Sequence, residues 1–154
     1  NVLLDIYDFF ENKLKTINRN GIKHRNIILD PGIGFGKNLK HNITLLKQVS
    51  IFHSLGFPVM LGISRKRFIS SISKEDNPKM RLGGTISATI LAMMQGVKIH
   101  RVHDVKQVNQ AFKTSSSVIV LEVNLCFLQI SIQATILLFP NLLPLSSKAS
   151  INIL

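Results

Sequence analysis

Three short apolar runs, residues 26–29, 59–61 and 97–102, alternate with longer stretches of helical period, and each run ends in residues able to hold a ligand. That alternation constrains the fold more than any other feature of the chain. Residues 2–18 place Leu3, Ile6, Phe9 or Phe10, Leu14 and Ile17 on one stripe of a helix. Residues 42–55 do the same with Ile43, Leu46, Val49 or Ile51, Phe52 and Leu55, and Gly56 closes them. A third long helix is expected over 83–95, where Gly84, Ser87 and Ala88 would let it pack closely on a sheet, and a last helix over 105–114. Ser64 is placed to cap a short helix over 65–72. The order α-β-α-β-α-α-β-α with short loops implies parallel strands and right-handed crossovers. A doubly wound sheet and a (β/α)8 barrel both satisfy it, and in either the ligand sits at the carboxyl ends of the strands.

Asp30, residues 64–66 and residues 101–103 stand at those ends. The run after the first strand, DPGIGFGKN over 30–38, is glycine-rich but matches neither common nucleotide loop. A P-loop would need glycine where Pro31 stands and a hydroxyl where Asn38 stands; the dinucleotide fingerprint would need glycine at Lys37. A carboxylate at a strand end could accept two parallel hydrogen bonds from an amidine-like N–H pair, as a pterin or guanine edge presents; a turn-capping aspartate is the plainer alternative for Asp30. Ser64, Arg65 and Lys66 combine a hydroxyl, a helix start and two cations, which suits an anion, although a solvated basic turn reads the same way. Arg101 and His103 alternate along a strand and so share a side. Arginine offers a fork for phosphate and a flat face for a ring, unless Arg101 is spent on pairing with Asp104. His24, His41 and His53 lack a second ligand at metal spacing.

Composition divides the chain. Of 19 Lys+Arg and 8 Asp+Glu, residues 1–114 hold all but Lys148 and Glu122, so the formal charge of +11 lies entirely in that part. Such a balance suits nucleic acid, anionic lipid or a phosphorylated small molecule. Cys126 is the sole cysteine, which excludes an intrachain disulfide and a cysteine metal site. Residues 1–20 are amphipathic and charged, unlike a secretory signal, which fits a cytoplasmic protein. Residues 118–145 are apolar, but Glu122, Asn124, Gln129, Gln133, Pro140 and Pro144 interrupt them; a spanning helix needs about 20 mostly apolar residues. Residues 115–154 therefore read as a tail foreign to the domain, such as a frameshifted end, poorly ordered and not inserted in a membrane.

The motifs at 30–38, GISRK at 62–66, RLGGT at 81–85 and RVHDV at 101–105, in this order, resemble dihydropteroate synthase, a pterin-binding family. The resemblance covers residues 1–114 and implies the carboxyl-terminal half of a (β/α)8 barrel, about its last three strands and their helices. It implies a transferase of folate synthesis that joins p-aminobenzoate to hydroxymethyl-dihydropterin pyrophosphate, releasing pyrophosphate with Mg2+ assisting. By it, Asp30 holds the pterin edge and Lys66 the pterin's other side. Arg101 stacks on the pterin and, with His103, holds the leaving group. Phe35, Ser64 and the helix start that carries Arg65 help bind p-aminobenzoate, and Gly62 lets the strand pass close to the pterin. The family's Mg2+ ligand, its mobile loops and a further Asp and Asn lie in an amino-terminal half that this sequence does not contain, so the chain is expected to be a fragment without turnover of its own. A homodimer through late barrel helices is implied for the complete enzyme. A corrinoid methyltransferase-type relative would have no pyrophosphate for 64–66 and 101–103 to hold. A nucleic-acid module would need a basic stripe with stacking aromatics, whereas these lysines are scattered.

Overall fold

A computed structural model describes residues 1–119, 126–129 and 152–153. The first helix, α1 (Val2–Arg19), starts on the Asn1 side chain, which accepts the Leu3 amide at 3.1 Å. Its stripe faces inward with Leu3 and Phe10 buried, and Phe9, the alternative to Phe10, points out. Phe10 meets Phe52 edge-on at 5.6 Å, which ties α1 to the turn of 3-10 helix at Val49–Leu55.

The strands are short and buried except at Arg101. They are β1 (Ile27–Ile28), β2 (Met60–Leu61) and β3 (Ile99–Val102). β2 pairs in parallel with β3, and a parallel bridge between Leu29 and Val59 continues the ladder from β1 to β2. β1, β2 and β3 thus lie side by side in sequence order. Leu29, Val59, Leu61 and Ile63 form the centre of the core, covered by Leu3 and Phe10 of α1, Leu45, Phe52 and Ala92. A second cluster of Met93, Val102, Val108 and Phe112 lies between the later helices and β3.

The helices between the strands depart from the sequence pattern in detail. α2 (Leu39–Lys47) stops at Lys47 and hands over to the 3-10 turn, so the expected single helix over 42–55 is two elements. Its buried positions are Asn42 and Leu45, while Ile43, expected inside, is exposed. The offset follows from Asn42, whose side chain is drawn inward by backbone groups of the glycine loop. α3 (Arg67–Ser73) is only seven residues long. In α4 (Leu82–Met94), Gly84 permits close packing, but against Ile69 of α3 rather than the sheet. α5 (Val105–Ile119) runs beyond residue 114, where the domain was expected to end.

Two further strands come from the stretch read as a tail. β4 (Cys126–Gln129) pairs in parallel with β3, and β5 (Asn152–Ile153) with β1, so the outer sides of β1 and β3 are both paired. The remaining residues of that stretch, and with them the expectation of poor order, lie outside the described residues. No described helix is long and apolar enough to cross a membrane.

Candidate functional site

The glycine loop after β1 is built by side chains close to it in sequence. Asp30 Oδ1 accepts the Gly32 amide at 2.9 Å, which makes the loop's first turn. Asp30 thus forms the turn, and it also faces two lysines. Gly32, Gly34 and Gly36 all have positive φ (68°, 80° and 58°), a backbone path that side chains would strain. Lys37 Nζ donates to the carbonyls of Gly32 at 2.9 Å and Phe35 at 3.1 Å. Asn42 Oδ1 accepts the Gly34 amide at 2.7 Å while its Nδ2 donates to the carbonyls of Lys37 and Asn38. Asn42 and Lys37 were not among the expected site residues. An asparagine within the inward-facing period of a helix was the one available signal.

The turn after β2 is held differently. Ser64 does not cap α3: Lys66 occupies the capping position and makes no side-chain cap. The reason is Arg65, whose φ of 59° swings the chain before the helix begins and aims Ser64 at the end of β3 instead. There Ser64 Oγ accepts the His103 amide at 3.2 Å and lies 3.0 Å from His103 Nδ1. With the Ser64 hydroxyl donating to Nδ1, the ring proton sits on Nε2, free to meet an acceptor in the site. Arg65 forks onto Asp104, with Nε to Oδ2 at 3.1 Å and Nη2 to Oδ1 at 2.6 Å. Asp104 is therefore the partner of Arg65 and not of Arg101.

Lys66 reaches back across the gap to the glycine loop. Its Nζ donates to the Ile33 carbonyl and stands 3.8 Å above the Phe35 ring. Phe35 is 61 % exposed, an apolar surface at the mouth of the site. Burial lowers the Lys66 pKa, the Asp30 carboxylate opposes that, and Arg101 and Lys37 add to it. Lys37 is likewise lowered by burial against the pull of Asp30. His103 is lowered by burial first, then by Arg65 and Arg101, with Asp104 opposing. These mutual influences bring Asp30, Lys66, Arg101 and His103 into one place, with Phe35 and Ser64 beside them. The Arg101 side chain has no hydrogen bond or ion pair among the described residues, and its guanidinium lies along Gly62, where a Cβ would stand 3.0 Å from Nη2. Gly62 thus makes room for Arg101, a role the sequence did not suggest.

Behind the turn, Arg81 and Thr85 hold Arg65 from the start of α4. They belong to the RLGGT run, whose residues carried no expected role. Among the described residues no group of three or more His, Cys, Asp or Glu side chains could hold a metal ion.

The chain resembles known proteins in sequence and in fold. A family model described as pterin binding enzyme matches residues 1–103. Dihydropteroate synthase of Escherichia coli is 38 % identical over 112 residues, which is 73 % of this chain and 39 % of the relative. The crystal structure of dihydropteroate synthase from Stenotrophomonas maltophilia with active-site-bound imidazole superposes with a TM-score of 0.77 at 32 % identity, covering 80 % of this chain and 46 % of that one. The Xanthomonas albilineans enzyme in complex with 7,8-dihydropteroate superposes with a TM-score of 0.76 at 32 % identity over 79 % of this chain and 46 % of that one. The chain thus spans less than half the length of these relatives.

Proposed function

The chain belongs to the pterin-binding enzyme family, and on that premise we propose that it is the carboxyl-terminal part of a dihydropteroate synthase, a cytoplasmic transferase of folate synthesis. The arc β1–β2–β3 is read as the last part of a (β/α)8 barrel. One observation carries the reading: an acid, a lysine, an arginine and a histidine stand together at the carboxyl ends of three neighbouring parallel strands.

The chemistry follows from what those groups can do. In the condensation, the p-aminobenzoate nitrogen forms a bond to the pterin methylene as the methylene–oxygen bond to pyrophosphate breaks, and the amine gives up a proton. Negative charge grows on the departing phosphate oxygens. Arg101, without a polar partner among the described residues and able to swing from Gly62, and the Nε2–H of His103 are the donors placed to receive it. Asp30 keeps one oxygen for the Gly32 turn and presents the other to the N–H edge of a pterin. Lys66 approaches the ring's other side, and Phe35 with Ser64 and Arg65 borders the p-aminobenzoate subsite. Mg2+ would help neutralise the departing pyrophosphate. A homodimer of the complete enzyme belongs to the same reading, and the exposed Leu91 and Met94 on α4 leave an apolar face for it.

Calorimetric titration of the chain with 7,8-dihydropteroate tests the reading. Binding that Asp30→Asn and Arg101→Ala each weaken by about tenfold or more is expected, the loss of a charged hydrogen bond being worth that much. Binding indifferent to both, or salt-sensitive capture of RNA in its place, would overturn it.

A further inference from the structure

Arg65 is a non-glycine residue in the left-handed region, with φ 59°, a conformation costing about 1 kcal/mol that persists only when its surroundings insist on it. Other elements take up its polar groups. Its amide donates to Thr85 Oγ1 at 3.0 Å, its carbonyl accepts Arg81 Nη1 at 2.9 Å, and its guanidinium grips Asp104. Thr85 is wholly buried, and Arg81, although a cation, is only 7 % exposed. Among the described residues Arg81 meets no carboxylate. Its other donors go to the carbonyls of Glu75, at 2.9 Å, and Asp76. A buried guanidinium paired only with carbonyls is an expensive way to hold a loop, and its planar fork is what lets one side chain span three acceptors.

Arg65 has a site residue on each side of it. Ser64, before it, sets the His103 ring; Lys66, after it, reaches Ile33 and Phe35. We propose that Arg81 and Thr85 are positioning residues that fix Arg65 from both sides of its backbone and thereby aim Lys66 and the Ser64–His103 pair into the site. For its ligand this inference rests on the function proposed above; for its geometry it does not.

The test uses the whole chain with Thr85→Val, which keeps the shape and removes the acceptor, Thr85→Ser, which keeps the acceptor, and Arg81→Lys. Leu3→Ala, buried on α1, serves as the comparison for a general loss of stability. Two readouts are taken: the His103 imidazole titration by NMR without ligand, and calorimetric affinity for 7,8-dihydropteroate. The expected result is that Thr85→Val and Arg81→Lys raise the His103 pKa towards the ordinary imidazole value, as the ring gains water and loses Arg65. Both also weaken dihydropteroate by about tenfold, the effect of leaving a buried backbone group unpaired. Thr85→Ser restores both, and Leu3→Ala moves neither. An unmoved His103 titration in Thr85→Val and Arg81→Lys, with the fold intact, would overturn the proposal whether or not ligand binds. A wild-type chain that ignores dihydropteroate while its His103 titration responds would instead sink the proposed function and leave the clamp standing.

Discussion

The two loops that build the site hold a lysine each, but they are held by different means. The loop over 30–38 is secured from nearby in sequence: Asp30, Lys37 and Asn42 bond to its own amides and carbonyls. The turn over 64–66 is secured from far away, by Arg81 and Thr85 at the start of α4 and by His103 and Asp104 just after β3. A locally closed loop survives changes elsewhere and fails when its own residues change. A remotely held turn depends on the register of β3 and α4, and so reports on the integrity of the whole sheet.

The largest effect expected is on the side of the remote contacts, and acid produces it. His100 lies on β3 next to Arg101 but faces the opposite way, wholly buried against Phe112 at 5.1 Å. Its Nε2–H donates to the Val97 carbonyl at 2.9 Å and its Nδ1 has no partner among the described residues. Burial pushes its pKa down to about 4 from the ordinary 6.5. The folded state therefore refuses a proton that the unfolded chain accepts. Stability is fully present above pH 6.5 and declines as pH falls towards 4, by roughly 3 kcal/mol in all. Urea unfolding at about pH 7 and about pH 4.5, either side of the His range, should show the loss, and His100→Phe should flatten it. If remote contacts do hold the second turn, the NMR signals of residues 64–66 broaden with acid before those of the glycine loop do.

Next in size is the converse experiment. Asn42 is almost fully buried and serves three backbone groups of the glycine loop. Asn42→Ala should destabilise the chain by about 2 kcal/mol, because a buried side chain loses its three hydrogen bonds to the glycine loop. The damage should stay local, with Lys66 losing its Ile33 contact while the His103 titration is unchanged. A His103 shift in this variant would mean that the two loops are one unit and the distinction between them false.

That distinction also accounts for what could be read from the sequence. The strand ends and the residues standing at them were legible because apolar runs and turn residues are local signals. Asp30, Lys66, Arg101 and His103 were found in that way. Ser64 was read as a helix cap, which is also a local inference, and it failed because the left-handed Arg65 is imposed by contacts 16 and 20 residues away along the chain. Arg81, Thr85 and the Arg65–Asp104 pair were missed for the same reason: nothing in their own neighbourhoods announces a partner across the fold. Asn42 was missed because helical period alone set Ile43 inward, whereas hydrogen bonds to the loop rotated the helix by one position.

Asp104→Asn removes one charge from the remote net and keeps its shape. Arg65 and Asp104 are partly shielded, with side chains 25 % and 16 % exposed, so the pair is worth more than a surface ion pair and less than a buried one. About 1 kcal/mol of stability should be lost, read from chemical unfolding. The His103 pKa should fall further, since Asp104 is the one neighbour holding it up. An unchanged His103 titration would mean that the Asp104 charge does not reach the ring, and that the remote net stops short of the histidine.

The sharpest effect on the site, and in Gly62→Ala the smallest on stability, is expected from two glycines compared directly, one near each loop. Gly34 has φ 80° and a Cβ there would fall 2.6 Å from Lys66 Cδ, so Gly34→Ala meets both a disfavoured backbone and an occupied space. It should cost about 1–2 kcal/mol and push Lys66 off the Phe35 ring. Gly62 asks only for space: its Cβ would press on Arg101 at 3.0–3.1 Å, and Arg101 is tethered to nothing among the described residues. The arginine can therefore yield, and Gly62→Ala should shift stability by less than about 0.5 kcal/mol. Yielding, however, turns the guanidinium from where the departing phosphates would be met. Inorganic pyrophosphate affinity, measured by calorimetry, should fall several-fold in Gly62→Ala at nearly wild-type stability, and hardly at all in Gly34→Ala. The reverse pattern would show that Arg101 is held by the sheet rather than by the room Gly62 leaves it.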